Sequence, residues 1–165
     1  MLAKAALPLA VLFILSACGG SAKPSTVRSA VEHGPGFSFS VPRDWNVRRT
    51  GTSVAARKGS SLASVSVFTL QKPYNAALFD QAAKELDGVA AKLAAQAGAK
   101  LAERMTTTVD GRKIRAYRFA NDSMQTKIGF VLVDKREYQL LCEMSAGTSD
   151  PDGACATLFA TFRTS

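Results

Sequence analysis

Three cysteines, one histidine and a scatter of helix carboxylates hold most of the reactive side chains in this 165-residue sequence. A cysteine can be acylated, cross-linked, bound to a metal or used as a nucleophile, and spacing separates these uses. Cys18, Cys142 and Cys155 contain no Cys-x-x-Cys pair and fall in no metal-ligand pattern. His33 is the single histidine, and it lies in a stretch that reads as a spacer, where a solvated ring is expected, not a base or ligand. The motifs H-E-x-x-H, G-x-S-x-G and G-x-x-x-x-G-K-[ST] do not occur. Arg57-Lys58-Gly59-Ser60-Ser61 has a superficial likeness to a phosphate loop and reads as a turn. Asp80, Glu85 and Asp87 do not share a helix face with a partner base, so solvation at the surface is expected. Asn121-Asp122-Ser123 matches a glycosylation sequon and also reads as a turn. The expectation is therefore no catalytic residue, no metal ligand and no cofactor. An enzyme whose site assembles from distant serine, lysine and carboxylate residues stands as a third reading.

Cys18 belongs to a different context. Lys4 and the amino terminus supply positive charge, and Ala5 to Leu15 is apolar throughout. That length suits a signal-peptide core of roughly 7–15 residues and falls short of the about 20 needed to span a bilayer. Ser16 and Ala17 are small enough for a peptidase to accept. Leu15-Ser16-Ala17-Cys18 resembles the bacterial lipobox, which implies that Cys18 is diacylated and becomes the first residue after cleavage. A plain secretory signal, or a buried apolar terminus with an incidental cysteine, is the alternative. Each buried acyl methylene contributes about 0.8 kcal/mol, and two chains anchor stably where one does not. The expected mature protein is a soluble domain tethered to the extracytoplasmic face of a membrane in the bacterial cell envelope. Whether that membrane is inner or outer is left open.

What remains after residues 1–17 suffices for one domain with a core. The formal net charge is +8, but its cations are dispersed, among them Arg43, Arg48, Arg49, Arg57, Lys58, Arg112, Lys113, Arg115 and Arg118. Without a basic run interleaved with aromatics, a nucleic-acid partner is not expected. Positive charge on a tethered domain could favour an anionic bilayer. A solvated surface is the plainer account.

Residues 18–36 read as a lipidated flexible linker. Gly19-Gly20-Ser21-Ala22-Lys23-Pro24-Ser25-Thr26 and Gly34-Pro35-Gly36 offer little to bury. Residues 37–165 form the expected domain. Phe37, Phe39 and Val41 alternate with serines as in a half-buried strand. A weak strand follows over 52–57. A stronger one over 61–71 carries Val65, Val67 and Thr69 on one face and Leu62, Phe68 and Leu70 on the other, so cover on both faces is expected.

The period then changes. Leu78, Ala82, Leu86, Val89, Leu93 and Ala97 predict the buried stripe of an amphipathic helix, with Asn75 as cap and Gly98 as stop. Gly88 interrupts it, marking either a close approach to the sheet or a kink. Strands follow over 101–109 and 112–119, joined by the hairpin signal Asp110-Gly111. Two more follow over 126–133 and 137–144, joined tightly through Asp134-Lys135-Arg136. Four strands with short links make an antiparallel meander. Asp150-Pro151-Asp152 reads as a helix start, and Leu158, Phe159 and Phe162 give that helix an apolar face. The fold class is α+β, an antiparallel sheet with helices packed on it.

Cys142 lies near the end of the last strand and Cys155 at the start of the last helix. In an exported domain the compartment is oxidising, and a bridge would close a loop worth about 3 kcal/mol in the chain-entropy model. A Cys142–Cys155 disulfide is expected, with two buried free thiols as the alternative.

Several stretches resemble the PsbP-like superfamily, which includes the lumenal photosystem II extrinsic subunit, DcrB-like bacterial proteins and LpqN-type lipoproteins. Gly36-Phe37-Ser38-Phe39-Ser40-Val41-Pro42-Arg43-Asp44-Trp45 is similar to that family's opening aromatic strand and Pro-x-x-Trp turn. The strand and long helix, the Asp110-Gly111 hairpin, and Tyr138 to Cys142 followed by Cys155 and Phe159 to Arg163 extend the likeness over about 36–163. The resemblance implies an α/β/α sandwich around a central antiparallel sheet, in domains that are mostly non-enzymatic and bind or stabilise larger assemblies, often at membranes. The expected function is a lipid-anchored binding or scaffolding domain with a protein partner in the envelope. A small-ligand or lipid carrier, with a pocket between the 76–97 helix and the sheet, is the alternative.

Overall fold

The alternation of Phe37, Phe39 and Val41 with two serines does produce a strand, and those three side chains are fully buried. In the computed structural model of the protein, which describes residues 28–165, this strand is β2 (Phe37–Pro42). It pairs antiparallel with β1 (Ser29–Gly34) along its whole length. Residues 29–34, read as linker, instead form a strand, and His33 lies on it, exposed, opposite Ser38. The reason is main-chain pairing, which needs few large apolar side chains. Glu32 is buried on this hairpin and ion-paired with Arg49.

The main sheet has six strands in the order β3-β4-β5-β8-β7-β6. They are β3 (Asn46–Arg49), β4 (Ser53–Lys58), β5 (Ser61–Tyr74), β6 (Lys100–Val109), β7 (Arg112–Ala120) and β8 (Met124–Ser145). All described pairings are antiparallel. β8 is a continuous extended run of 22 residues, which would span roughly 70 Å if straight. Yet the amide of Ala146 donates to the Ser123 carbonyl at 3.0 Å, so the run doubles back, with Asp134 at φ +49°. Its first arm pairs with β7 and its second with β5. The two expected strands are thus present as arms of one run. The link stays extended because Tyr74, far along β5, pairs with Asp134.

Helix α1 (Phe79–Gln96) follows a short 3-10 turn over Ala76–Leu78, whose cap is Asn75 as expected; its Oδ1 accepts from the Ala77 amide at 2.8 Å. Helix α2 (Ala154–Thr161) closes the chain before the two-residue strand β9 (Arg163–Thr164), which pairs with β2. Asp150 caps α2 from across a 3-10 turn, accepting from the amides of Cys155 and Ala156 at 2.9 Å each.

One face of the main sheet packs on α2 and the β1-β2-β9 sheet. Its core joins Phe37, Phe39, Val65, Leu140, Leu158 and Phe162, all at most 1% exposed. The other face packs on α1 through a smaller cluster including Ala90, Ala94, Tyr117 and Phe130. The architecture is α+β.

Two expectations fail at α1 and beside it. The buried helix positions are Ala90 and Ala94, whereas Leu78, Val89 and Leu93 are 46%, 47% and 42% exposed. The period was right and Leu86 of the stripe does pack on the cluster, but the buried face is turned toward Ala90 and Ala94. Likewise β5 is not covered on both faces throughout: Leu62 is buried, but Phe68 is 48% exposed. Gly88 neither approaches the sheet nor breaks the helix. A Cβ there would meet nothing within 4 Å, and α1 runs through it.

Candidate binding groove

Cys18 lies outside the described residues. Cys142 and Cys155 do form a disulfide, with Cα atoms 5.7 Å apart. It ties the second arm of β8 to the first turn of α2, and Cys142 is fully buried. Nearby, Trp45 Nε1 donates to Asp152 Oδ2 at 3.2 Å, and Lys58 Nζ bonds Asp44 at 2.6 Å and Asp152 at 2.8 Å. The Pro42-to-Trp45 turn, the β4–β5 turn and the approach to α2 are thereby held together. The Arg57-to-Ser61 stretch is a hairpin turn as read, with Lys58 opposite Ser61. Asn121 also behaves as a turn residue, its Oδ1 accepting from the amides of Ser123 and Met124.

Asp87 is not the solvated surface carboxylate that its position on the helix suggested. Arg115 on β7 donates Nε and Nη2 to its two oxygens at 2.8 and 2.9 Å, and the hydroxyl of Tyr117 donates to Oδ1 at 2.7 Å. Arg115, then Tyr117, holds the Asp87 carboxyl below the usual range against the effect of burial. Burial, then the hydrogen bond to Asp87, pushes the Tyr117 phenol far up. This clasp anchors the middle of α1 over β7. At its start, Lys113 Nζ sits 4.2 Å over the Phe79 ring.

Ala90, Ala94 and the half-buried Leu86 seat the helix together with this polar clasp. Under the last turns of α1 this leaves a groove of about 440 Å³. Leu93, Ala94 and Ala97 form the helix wall, and Phe119, Ile128 and Leu141 the sheet side. Asn121, Ser123 and Glu143 supply its polar edge. The alanines create the space, and Leu93 and Val89 continue the apolar surface out of it. A second recess, about 530 Å³, lies at the start of α1, with Asp80, Arg112, Lys113 and Asp134 in its lining. It is the more charged of the two.

The groove is concave and mostly apolar with a few polar groups, and its volume lies in the range of small-molecule sites, roughly 300–1,000 Å³. Among the described residues, no group of three or more His, Cys, Asp or Glu side chains is placed to share a metal ion. No helix among them is long and apolar enough to cross a membrane. The sequence pointed to a space between this helix and the sheet but not to its residues. Glu143, separated from Leu93 in the chain by β6, β7 and the first arm of β8, carried no signal at all.

No family model matches this chain, and no curated protein matches it. A solved structure of a protein from Bacteroides thetaiotaomicron has a similar fold, with a TM-score of 0.55 and 14% identity. The likeness covers 85% of this chain and 49% of that one, so this chain spans about half the length of that protein. At such identity the likeness concerns the fold alone.

Proposed function

We propose that this protein is an envelope lipoprotein, anchored through Cys18, whose domain is a non-catalytic binding module of the PsbP-like kind that binds through the groove under α1. One observation carries the reading: α1 is seated by Ala90 and Ala94 while Val89 and Leu93 stay exposed beside an apolar recess of about 440 Å³. Leaving large apolar side chains in water beside a concave apolar wall is a cost that binding relieves. The lipobox-like Leu15-Ser16-Ala17-Cys18 supports the anchor, and the Cys142–Cys155 bridge supports an oxidising compartment. The groove's volume specifically favours a second reading, a carrier of a small apolar ligand or lipid.

The test is crosslinking and pull-down from native membranes, with Leu93→Glu as the control variant. A protein partner that is captured by the parent and lost with Leu93→Glu is the expected result. Recovery of no partner, alongside copurified lipid, overturns the binding module in favour of the carrier. Separately, Cys18→Ala is expected to move the chain from the detergent to the aqueous phase or to leave it unprocessed. Unchanged partitioning would sink the anchor.

A further inference from the structure

Glu143 is the single ionisable residue lining the groove under α1. It is half-buried and takes part in no ion pair among the described residues. The register shows why. Glu143 stands opposite Leu62, and Leu62 opposite Arg57. On the β5 side the nearest cation across the strands is therefore two strand spacings away, roughly 10 Å, with an apolar side chain between.

The groove lies under the C-terminal turns of α1, from Leu93 to Ala97, and the last turn carries no basic residue. A helix C-terminus bears the negative end of the macrodipole and favours a cation. Here the carbonyls of Leu93, Ala94 and Ala95 already accept from the amides of Ala97, Ala99 and Gly98, and Lys100 stands opposite the lining residue Ala120, so the negative character at the edge of the recess rests on Glu143, which no ion pair among the described residues neutralises.

We propose that the occupant of the groove is a lipid amphiphile with one apolar chain and an ammonium head. The chain lies against Leu93, Ala97, Phe119 and Ile128, and the head is placed at Glu143. The inference rests on the second reading above, the carrier, in which the groove holds a small ligand and not a protein partner. An anionic head would meet Glu143 unfavourably. A neutral head would satisfy the apolar walls and leave the carboxylate without a counter-ion.

The experiment uses the full chain in bilayer discs with three twelve-carbon probes that share a mid-chain photoreactive group: dodecylamine, dodecanol and dodecanoate. Adducts are located by peptide mass spectrometry. The amine is expected to label the groove peptides about fivefold more than the alcohol, the ratio that one partly exposed ion contact supports, and the carboxylate least. Glu143→Gln should bring the amine down to the level of the alcohol. Ala97→Phe, which fills the groove, should reduce all three. Equal labelling by the three heads, or a preference that survives Glu143→Gln, overturns the ammonium assignment while the groove stands. No groove labelling by any probe, or labelling indifferent to Ala97→Phe, overturns the groove itself and the assignment with it. Thermal melts of both variants matching the parent show that the readout is not one of misfolding.

Discussion

Asp110 Oδ2 accepts from both the amide and the hydroxyl of Thr164, at 3.0 and 2.8 Å, so the β6–β7 turn grips the last strand of the chain. The same residue adopts φ +51° in its own turn and receives Arg112 Nη1 at 2.6 Å. Burial pushes its carboxyl up, but the Thr164 hydrogen bonds and the charges of Arg112 and Arg163 outweigh this and hold it below the usual range. A carboxylate depressed in the folded state stabilises fully above its unfolded pKa, about 3.9. That contribution is lost as pH falls from there through the folded value. Asp110→Asn tolerates the left-handed conformation and removes the charge. It should cost about 1 kcal/mol at neutral pH and flatten the loss of stability below about pH 4. Denaturant melts across pH check this, and parallel acid limbs would count against it.

The Asp87 clasp predicts an asymmetry between its two ends. Tyr117→Phe removes one hydroxyl and leaves Asp87 with Arg115, costing about 1 kcal/mol. Asp87→Ala strands a fully buried phenol and a guanidinium together, so a loss of about 2–3 kcal/mol is expected. Urea melts of the two variants supply the comparison. Tyr117 should also resist ionisation in an alkaline absorbance titration, because burial and Asp87 both oppose its charge.

Two glycines should respond in opposite senses. Gly88→Ala places a methyl group in open space on a helix, and should stabilise by about 0.5–1 kcal/mol. Gly129→Ala would set its Cβ 2.7 Å from Phe159 and 3.2 Å from Ile114, beneath α2. Overpacking of that kind costs about 1–3 kcal/mol. Melting temperatures that move together, not apart, would contradict the packing described for both sites.

The disulfide should contribute about 3 kcal/mol, since it closes a loop across a separation of 13 residues. The double variant Cys142→Ala/Cys155→Ala measures that loss in a denaturant melt. In a chain already carrying Cys18→Ala, alkylation followed by intact mass should count no free thiol before reduction and two after it.

Much of the fold was legible because periodicity and turn chemistry are local. Phe37, Phe39 and Val41 announced a strand, Asn75 and Gly98 bracketed a helix, and Asp110-Gly111 marked a hairpin. β1 was missed because its stability comes from pairing with β2, and Ser29 to Gly34 shows only a weak apolar pattern. The burial of α1 was misassigned because hydrophobic spacing reports a period without reporting which side of the stripe meets the sheet. Asp87 looked solvated because its partners, Arg115 and Tyr117, lie 28 and 30 residues further along.

By itself the sequence determined the α+β class, the order of most elements and the pairing partners Cys142 and Cys155, since these follow from residue spacing and backbone preference. Only the tertiary structure decided that the two arms of β8 form one continuous extended run, that Val89 and Leu93 stay in water, and that Glu143 stands beneath the end of α1. Each of these depends on strand register and on which surfaces meet. Such long-range relations arise when the chain closes on itself and leave no mark in the neighbouring residues.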